Sequence, residues 1–265
     1  MSKARGLADL GNVYDDGALS NRNMVVNGSM IVAQRGISST TQGFATVDRF
    51  KASSDGTMVA AVVTQSQDAT GPQDFSNSYK ISVGTSEAVA AADYYYVSQS
   101  IEAQNLQQLS FGTSDAKSIT LSFWVKSSVT GTYTVSVFGH DAQRVFPKTY
   151  TVSSANTWEK KVIVVDADTT GTIANDNGRG IDLYWGLSAG SNWTTGTDGA
   201  WAAYASTNFL ANHTADVIGT TSATWQITGV QLEVGDTATP FEHRSFGDEM
   251  ARCQRYYQTD KMYLQ

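Results

Sequence analysis

In SITLSFWVK, Ile119, Leu121, Phe123 and Val125 take every second position, and Thr120, Ser122 and Trp124 fill the places between. A period of two belongs to extended backbone with one face buried, because successive side chains of a strand point to opposite sides. GTYTVSVFG repeats the pattern with Tyr133, Val135 and Val137 on one face, after turn residues at 128–131. The pair is expected to form a hairpin. From residue 24 onward short apolar runs are separated by Gly, Asn, Asp and Ser clusters, the rhythm of a sandwich or barrel. Further strands are expected at 24–33, 57–65, 78–83, 94–101, 148–152, 158–165 and 181–187. With the closing TWQITGVQLEV they make about ten, enough for two packed antiparallel sheets.

The closing segment changes phase. Trp225 and Ile227 fall on odd positions, but Val230, Leu232 and Val234 fall on even ones, so one extra residue is expected at Thr228-Gly229 as a β-bulge. Beyond it a helix over 245–258 is signalled by Ser245 as N-cap and by Asp248 and Glu249 in the first turn, where free backbone N–H groups favour negative charge. Phe246, Met250, Cys253 and Tyr257 recur at helical spacing, and Asp248 stands four residues before Arg252, the spacing of an ion pair. The domain's own sheet or a neighbouring subunit could cover this stripe, since CQRYYQ is rich in the Tyr and Arg that interfaces favour. Cys253 then reads as a small buried residue with no His or Asn partner to activate it.

Charge and motif content narrow the chemistry. A net charge of −7 without a Lys/Arg run argues against a nucleic-acid groove. No apolar stretch approaches the roughly 20 residues of a membrane span, and the N-terminus lacks a signal-peptide core, so synthesis and folding in the cytosol are expected. His140, His213 and His243 are far apart and form no metal pattern, and the spacing of Asp166, Asp168, Asp176 and Asp182 fits no calcium loop. No phosphate loop is present. Neither a metal nor a cofactor is expected. Glycoside hydrolysis needs two carboxylates at a set separation. Of the six glutamates, Glu87, Glu102, Glu159, Glu233, Glu242 and Glu249, most sit beside turns or on polar sides of segments, so the chain is expected to be non-enzymatic.

Four segments, taken in order, resemble a family of bacteriophage virion proteins found in tail-fibre tips and other surface appendages of marine phages and cyanophages. They are NRNMVVNGSMIVAQRG with VDRF after it, IEAQNLQQLSFGTSDAKSITLSFWVKSSVTGTYTVSV, YTVSSANTWEKKVIVV, and WQITGVQLEVGDTATPFEHRSFGDEMARCQRYYQ, spanning 21–258. That family is in turn similar to the galactose-binding and carbohydrate-binding-module jelly roll. The resemblance implies an all-β jelly-roll β-sandwich with a short N-terminal arm and a C-terminal helix. Residues 1–23 would be a docking arm, 24–240 the sandwich and 241–265 a helical appendage. The modules often hold calcium through carboxylates soon after the NG and in the closing strand. Here those places carry Ser29 and Met30, then Thr228 and Gly229.

Two surfaces are candidates for contact. The loop between Gly186 and Gly219 carries Trp193, Trp201 and Tyr204 with Asn192 and Asp198, rings for the C–H faces of a sugar and polar groups for its hydroxyls. The same rings could instead cap the sandwich or pack on a neighbouring subunit. Leu7, Leu10, Phe246, Met250, Tyr256 and Tyr257 are the candidate subunit contacts. The expected role is a fibre or tail-tip module on the phage particle that binds a host receptor or glycan, as a homo-oligomer, for which a trimer is the common state of fibre tips. The alternative is capsid decoration, with attachment to the shell through the arm. The partners are other virion proteins, and neither nucleic acid nor membrane insertion is expected.

Overall fold

The computed structural model of the chain describes residues 21–58 and 60–259. Most of the expected arm, with Leu7 and Leu10, and residues 260–265 of the expected appendage lie outside them. Among the described residues twelve strands form two six-stranded sheets. The first runs β1 (Ser38–Ser39), β3 (Val62–Asp68), β4 (Ser78–Thr85), β12 (Thr224–Val234), β6 (Ile119–Ser127), β9 (Glu159–Val165). The second runs β11 (Ala202–Ala203), β8 (Arg144–Val152), β7 (Gly131–Gly139), β10 (Arg179–Ala189), β5 (Tyr94–Glu102), β2 (Lys51–Asp55). Neighbours are antiparallel throughout. Among the described residues only β3–β4, β7–β8 and β10–β11 follow one another within one sheet; every other connection crosses to the opposite sheet, which makes the fold a jelly-roll β-sandwich.

The alternating residues meet between the sheets. Phe123 and Val125 of β6 face Trp185 of β10 and Tyr133 of β7, and Phe123 packs edge-on against Trp185 and Tyr150 at ring separations of 5.9 and 5.2 Å. Trp185, Trp225, Tyr79, Tyr133, Phe50 and Phe123 are all fully buried. Burying one such aromatic side chain contributes on the order of 1.5–3 kcal/mol.

Several boundaries differ from the sequence expectation. β6 and β7 do not pair as a hairpin; they lie in opposite sheets. The Ser128 N–H donates to Thr224 O at 2.9 Å, and Ser127 Oγ contacts Tyr133 OH at 2.9 Å, so the connection is a corner tied to β12 and the two apolar faces oppose each other across the core. The expected strand at 24–33 is irregular, because Asn27 and Met30 adopt φ of +61° and +60°. Its polar backbone is satisfied by side chains instead: Asn27 Nδ2 donates to Val32 O and Asp48 O, both at 2.9 Å, and Asn27 Oδ1 accepts from Val32 N–H at 3.0 Å. Gly28 lies so close to β12 that a Cβ there would stand 2.1 Å from Val230 O. β2 escaped the sequence reading because Lys51, Ser53 and Ser54 give it little apolar character.

The bulge expected in the closing strand is present. Thr228 opposes Trp124 and Gln231 opposes Ser122, one residue too many on β12, with Gly229 at φ +60°. The expected terminal helix forms over Phe246–Gln254, and Ser245 Oγ accepts from Asp248 N–H at 3.2 Å. Its covered side matches the expected stripe only in part. Glu249 and Cys253 are buried, Met250 is half-buried and Phe246 is 57% exposed. The expected Asp248–Arg252 pair is absent: Asp248 accepts from the Ser245 hydroxyl at 2.7 Å, and Arg252 donates to Asn21 Oδ1 at 2.6 Å.

The helix docks on the domain's own opening segment. Glu249 Oε1 accepts from Asn27 N–H at 2.5 Å and lies 3.6 Å from Arg244 Nη1, while Arg244 also donates to Val25 O at 3.1 Å. Tyr256 and Tyr257, expected at a subunit contact, lie under the guanidinium groups of Arg49 and Arg35 at 3.4 and 3.5 Å. A cavity of about 160 Å³ lies here, bounded by Arg35, Asp48, Arg49, Cys253, Tyr256 and Tyr257. Arg35 is spent on Asp48 at 3.4 Å and both tyrosines on arginines, so the place is a clasp for the C-terminal segment. Burial, with Asp48 and Glu249 nearby, pushes the Cys253 thiol up to about 12, which leaves it protonated and unreactive.

Candidate functional site

Alternation in β5 sends Tyr95, Val97 and Ile101 into the core and leaves Tyr94, Tyr96 and Ser98 on the outward face of the second sheet. β10 sets Tyr184 opposite Ser98, and β7 adds Phe138 opposite Asp182. After β10 the chain folds back over this face as residues 190–213, with two single-turn helices, α1 (Ser191–Thr194) and α2 (Ser206–Phe209), on either side of β11. The fold-back is held by hydrogen bonds from Gly190 N–H to Asp93 O at 2.8 Å and from Thr134 Oγ1 to Ala211 O at 2.9 Å. Gly186 makes room for it, since a Cβ there would stand 2.9 Å from Leu210 Cδ2.

Phe209 is the buried keystone of the resulting aromatic surface. Its ring centroid lies 4.9 Å from Tyr184, 5.6 Å from Tyr94, 5.8 Å from Tyr204 and 6.1 Å from Trp193. Tyr94 and Tyr96 stack at 5.4 Å, and Tyr96 meets Tyr184 edge-on at 5.1 Å. Tyr204, 41% exposed, is the ring most open to solvent in the cluster. Polar groups rim the rings. Asp55 Oδ2 accepts from Tyr94 OH at 3.4 Å, Lys51 Nζ lies 5.5 Å from the Tyr96 centroid, and Asp182 Oδ2 accepts from Tyr184 OH at 3.2 Å and from Arg179 Nη1 at 3.0 Å. Burial first, and Asp182 second, raise the Tyr184 hydroxyl above its ordinary range; burial and Asp55 do the same to Tyr204. Both therefore remain neutral hydroxyls that can donate or accept.

Of the residues singled out from the sequence, Trp193 and Tyr204 join this cluster. Trp193 packs at 4.2 Å on Tyr94 and donates its indole N–H to Ala92 O at 2.8 Å, so one face of the ring and its polar handle are used internally. Trp201 stands apart. It packs on Phe111 and Phe146 at 5.8 and 5.7 Å and donates to Asp166 O at 2.6 Å, as part of the main core rather than a platform. Asn192 is exposed on α1, anchored through its backbone N–H to Ala91 O at 3.0 Å. Asp198 ties the loop to β8, accepting from Thr149 N–H and Oγ1 at 3.2 and 2.9 Å and from Asn212 at 3.0 Å. Burial raises its pKa, but these hydrogen bonds outweigh that and hold it below the ordinary carboxylate value. Sequence reasoning missed Tyr94, Tyr96, Phe138 and Tyr184, whose signal was the polar-side phase of strands read only for their inward residues.

The glutamates and Asp168 elsewhere have structural partners. Glu87 accepts from Ala60 and Ala61 N–H at 2.8 and 2.9 Å, Glu159 from Ser153 and Ser154 N–H at 2.8 Å, and Glu233 from Thr239 N–H at 2.9 Å. Glu102 pairs with Arg255 at 2.9 Å, Glu242 with Arg244 at 3.2 Å, and Asp168 with Arg144 at 2.7 Å.

No family model and no curated protein matches this chain. Among solved structures it is similar to the enzymatically active domain of tailspike protein 4 of bacteriophage CBA120, with 14% identity and a TM-score of 0.43 over 80% of this chain. The match covers 21% of that tailspike chain. A family 22 carbohydrate-binding module of Clostridium thermocellum Xyn10B matches at 12% identity and TM-score 0.41, over 84% of this chain and 100% of that one. The family 11 module of the C. thermocellum cellulase Lic26A-Cel5E matches at 11% identity and TM-score 0.38, over 77% and 98%.

Proposed function

We propose that the chain is a non-catalytic glycan-binding domain of a bacteriophage particle, a fibre or tail-tip module that meets the host surface. The carrying observation is the aromatic outward face of the second sheet. It combines solvent-open Tyr204 and half-buried Tyr184 and Trp193 with hydroxyls, a carboxylate and an ammonium at its rim. Sugars bind such surfaces by laying apolar C–H faces on rings while hydroxyls reach fixed polar groups, and the site needs no raised-pKa acid. The hydrogen-bonded state of the glutamates supports a binding role over hydrolysis. The phage setting rests on the four resembling segments between residues 21 and 258.

The test is a glycan array probed with the whole chain, read beside a reducing-end assay on every saccharide that binds. Binding without release of reducing ends, reduced at least tenfold by Tyr204→Ala, is the expected result. Release of reducing ends would overturn the non-catalytic part, and absence of any bound saccharide would overturn the glycan part. Labelling of intact particles, viewed by electron microscopy, separates tail placement from the capsid-decoration alternative.

A further inference from the structure

The outward face of the first sheet carries a second arrangement that the aromatic surface does not use. Cross-strand register sets Lys80 of β4 opposite Gln226 of β12, and Gln226 opposite Lys126 of β6. Beyond Lys126 lies Trp158, with Lys126 Nζ 5.0 Å from its ring centroid. In the adjoining row Thr228 opposes Trp124, and Trp124 opposes Lys160 of β9. Two half-buried tryptophans thus alternate with lysines in a checkerboard at the open edge of the sheet. Val162, 50% exposed, and Val164, 38% exposed, extend it along β9. Phe75 closes the other side, where a Cβ on Gly229 would stand 2.7 Å from Phe75 Cζ and 3.1 Å from Trp124 Cδ1.

The charge here runs against that of the whole chain. The protein carries −7, yet this patch presents three lysines. Lys80 is paired with Asp68 at 3.0 Å, and the same carboxylate feels Lys126 at longer range, while among the described residues neither Lys126 nor Lys160 forms a salt bridge of its own. Cations without a salt bridge, spaced between indole rings, suit a ligand that has anionic groups on an apolar-faced backbone. A neutral chain would gain from the rings alone, and a nucleic acid would need a longer track of cations than two.

We propose that this face is a second binding site, for an anionic polysaccharide bearing carboxylate or sulfate groups. Trp124 and Trp158 offer the stacking surface, and Lys126 and Lys160 take the charged substituents. It is separate from the aromatic surface of the second sheet, so the two readings stand or fall independently. The experiment is affinity electrophoresis of the whole chain in gels containing polyuronate, sulfated galactan or neutral dextran. The expected result is retardation by at least one anionic polymer and none by dextran, with the apparent affinity falling at least tenfold in Lys126→Gln/Lys160→Gln and in Trp158→Ala. Tyr204→Ala should leave this retardation unchanged. Retardation by dextran that persists in Tyr204→Ala, unaltered affinity in the double lysine variant, or no retardation by either anionic polymer would overturn the proposal. A loss in the lysine variant with none in Trp158→Ala would overturn the stacking role. Carboxylate and sulfate ligands are told apart by which gel retards the protein. Unchanged thermal unfolding of the double lysine variant certifies its fold.

Discussion

Lowering the pH from 8 to 5 should weaken this fold through one histidine. His213 ends the loop that crosses the second sheet, is 4% exposed, and is held at both ring nitrogens. Nδ1 accepts from Thr134 N–H at 3.1 Å, and Nε2–H donates to Ala215 O at 2.8 Å. Adding a proton to Nδ1 would set two donors against each other in a dry site. Burial accordingly lowers the pKa from 6.5 to about 4, against smaller opposing effects of Ala215, Leu187 and Asp216. Because the folded value is depressed, the unfolded chain binds the extra proton between those two values, so the stability is fully present above pH 6.5 and is lost as pH falls toward about 4. The full difference is about 3 kcal/mol, of which about 2 kcal/mol is lost by pH 5. That corresponds to a drop of roughly 4–8 °C in Tm.

Carboxylates do not confuse the window. Asp93 and Asp198 lie below their ordinary 3.8, and Glu242 below 4.5, because hydrogen bonds to them outweigh the raising effect of burial; their stability is present above those values and lost at more acid pH. The assay is urea unfolding followed by tryptophan fluorescence at pH 8 and pH 5, on the natural protein and on His213→Asn, whose side-chain oxygen can take the place of Nδ1. The natural protein should lose about 2 kcal/mol between the two pH values. The variant should be less stable at pH 8 but nearly flat. An equal loss in both proteins would refute the assignment to His213.

Gly229→Ala should cost on the order of 1–3 kcal/mol in the same unfolding assay, because φ is +60° there and the new Cβ would meet Phe75 at 2.7 Å. Ser245→Ala removes the cap on Asp248 N–H and should cost about 1 kcal/mol by thermal unfolding. Glu249→Ala leaves buried Arg244 without one of its two carboxylates and should cost roughly 3 kcal/mol, read by urea midpoint. Cys253, 1% exposed and with its pKa raised to about 12, should resist a disulfide reagent at pH 8 in the native state and react within seconds of unfolding in urea.

The sequence was most legible where one residue type can serve only one geometry. Alternation in β6, β7 and β12 located those strands, the phase slip at Thr228-Gly229 located the bulge, and Ser245 with Asp248 located the helix start. It was least legible where pairing is long-range. A short turn after β6 looks like a hairpin from the chain alone, and only its ties to Thr224, 96 residues away, make it a corner. The helix stripe was read without Glu249, because a charged residue is buried there by a partner, Arg244, whose position no periodicity reveals. In the aromatic cluster, Trp193 and Tyr204 were legible because aromatic residues in a polar loop stand out. The outward rings Tyr94, Tyr96 and Tyr184 were not, since a strand with aromatic residues on both faces reads as core on either.

Shift mapping probes the proposed binding of sugar to the outward face of the second sheet. Amide and aromatic-ring NMR signals would be followed as an array-selected oligosaccharide is titrated into the isotope-labelled chain. Saturable shifts centred on Tyr184, Trp193 and Tyr204, lost in Tyr204→Ala, are expected. Shifts confined to the clasp around Arg35, Arg49 and Tyr256, with this face silent, would contradict the proposed binding.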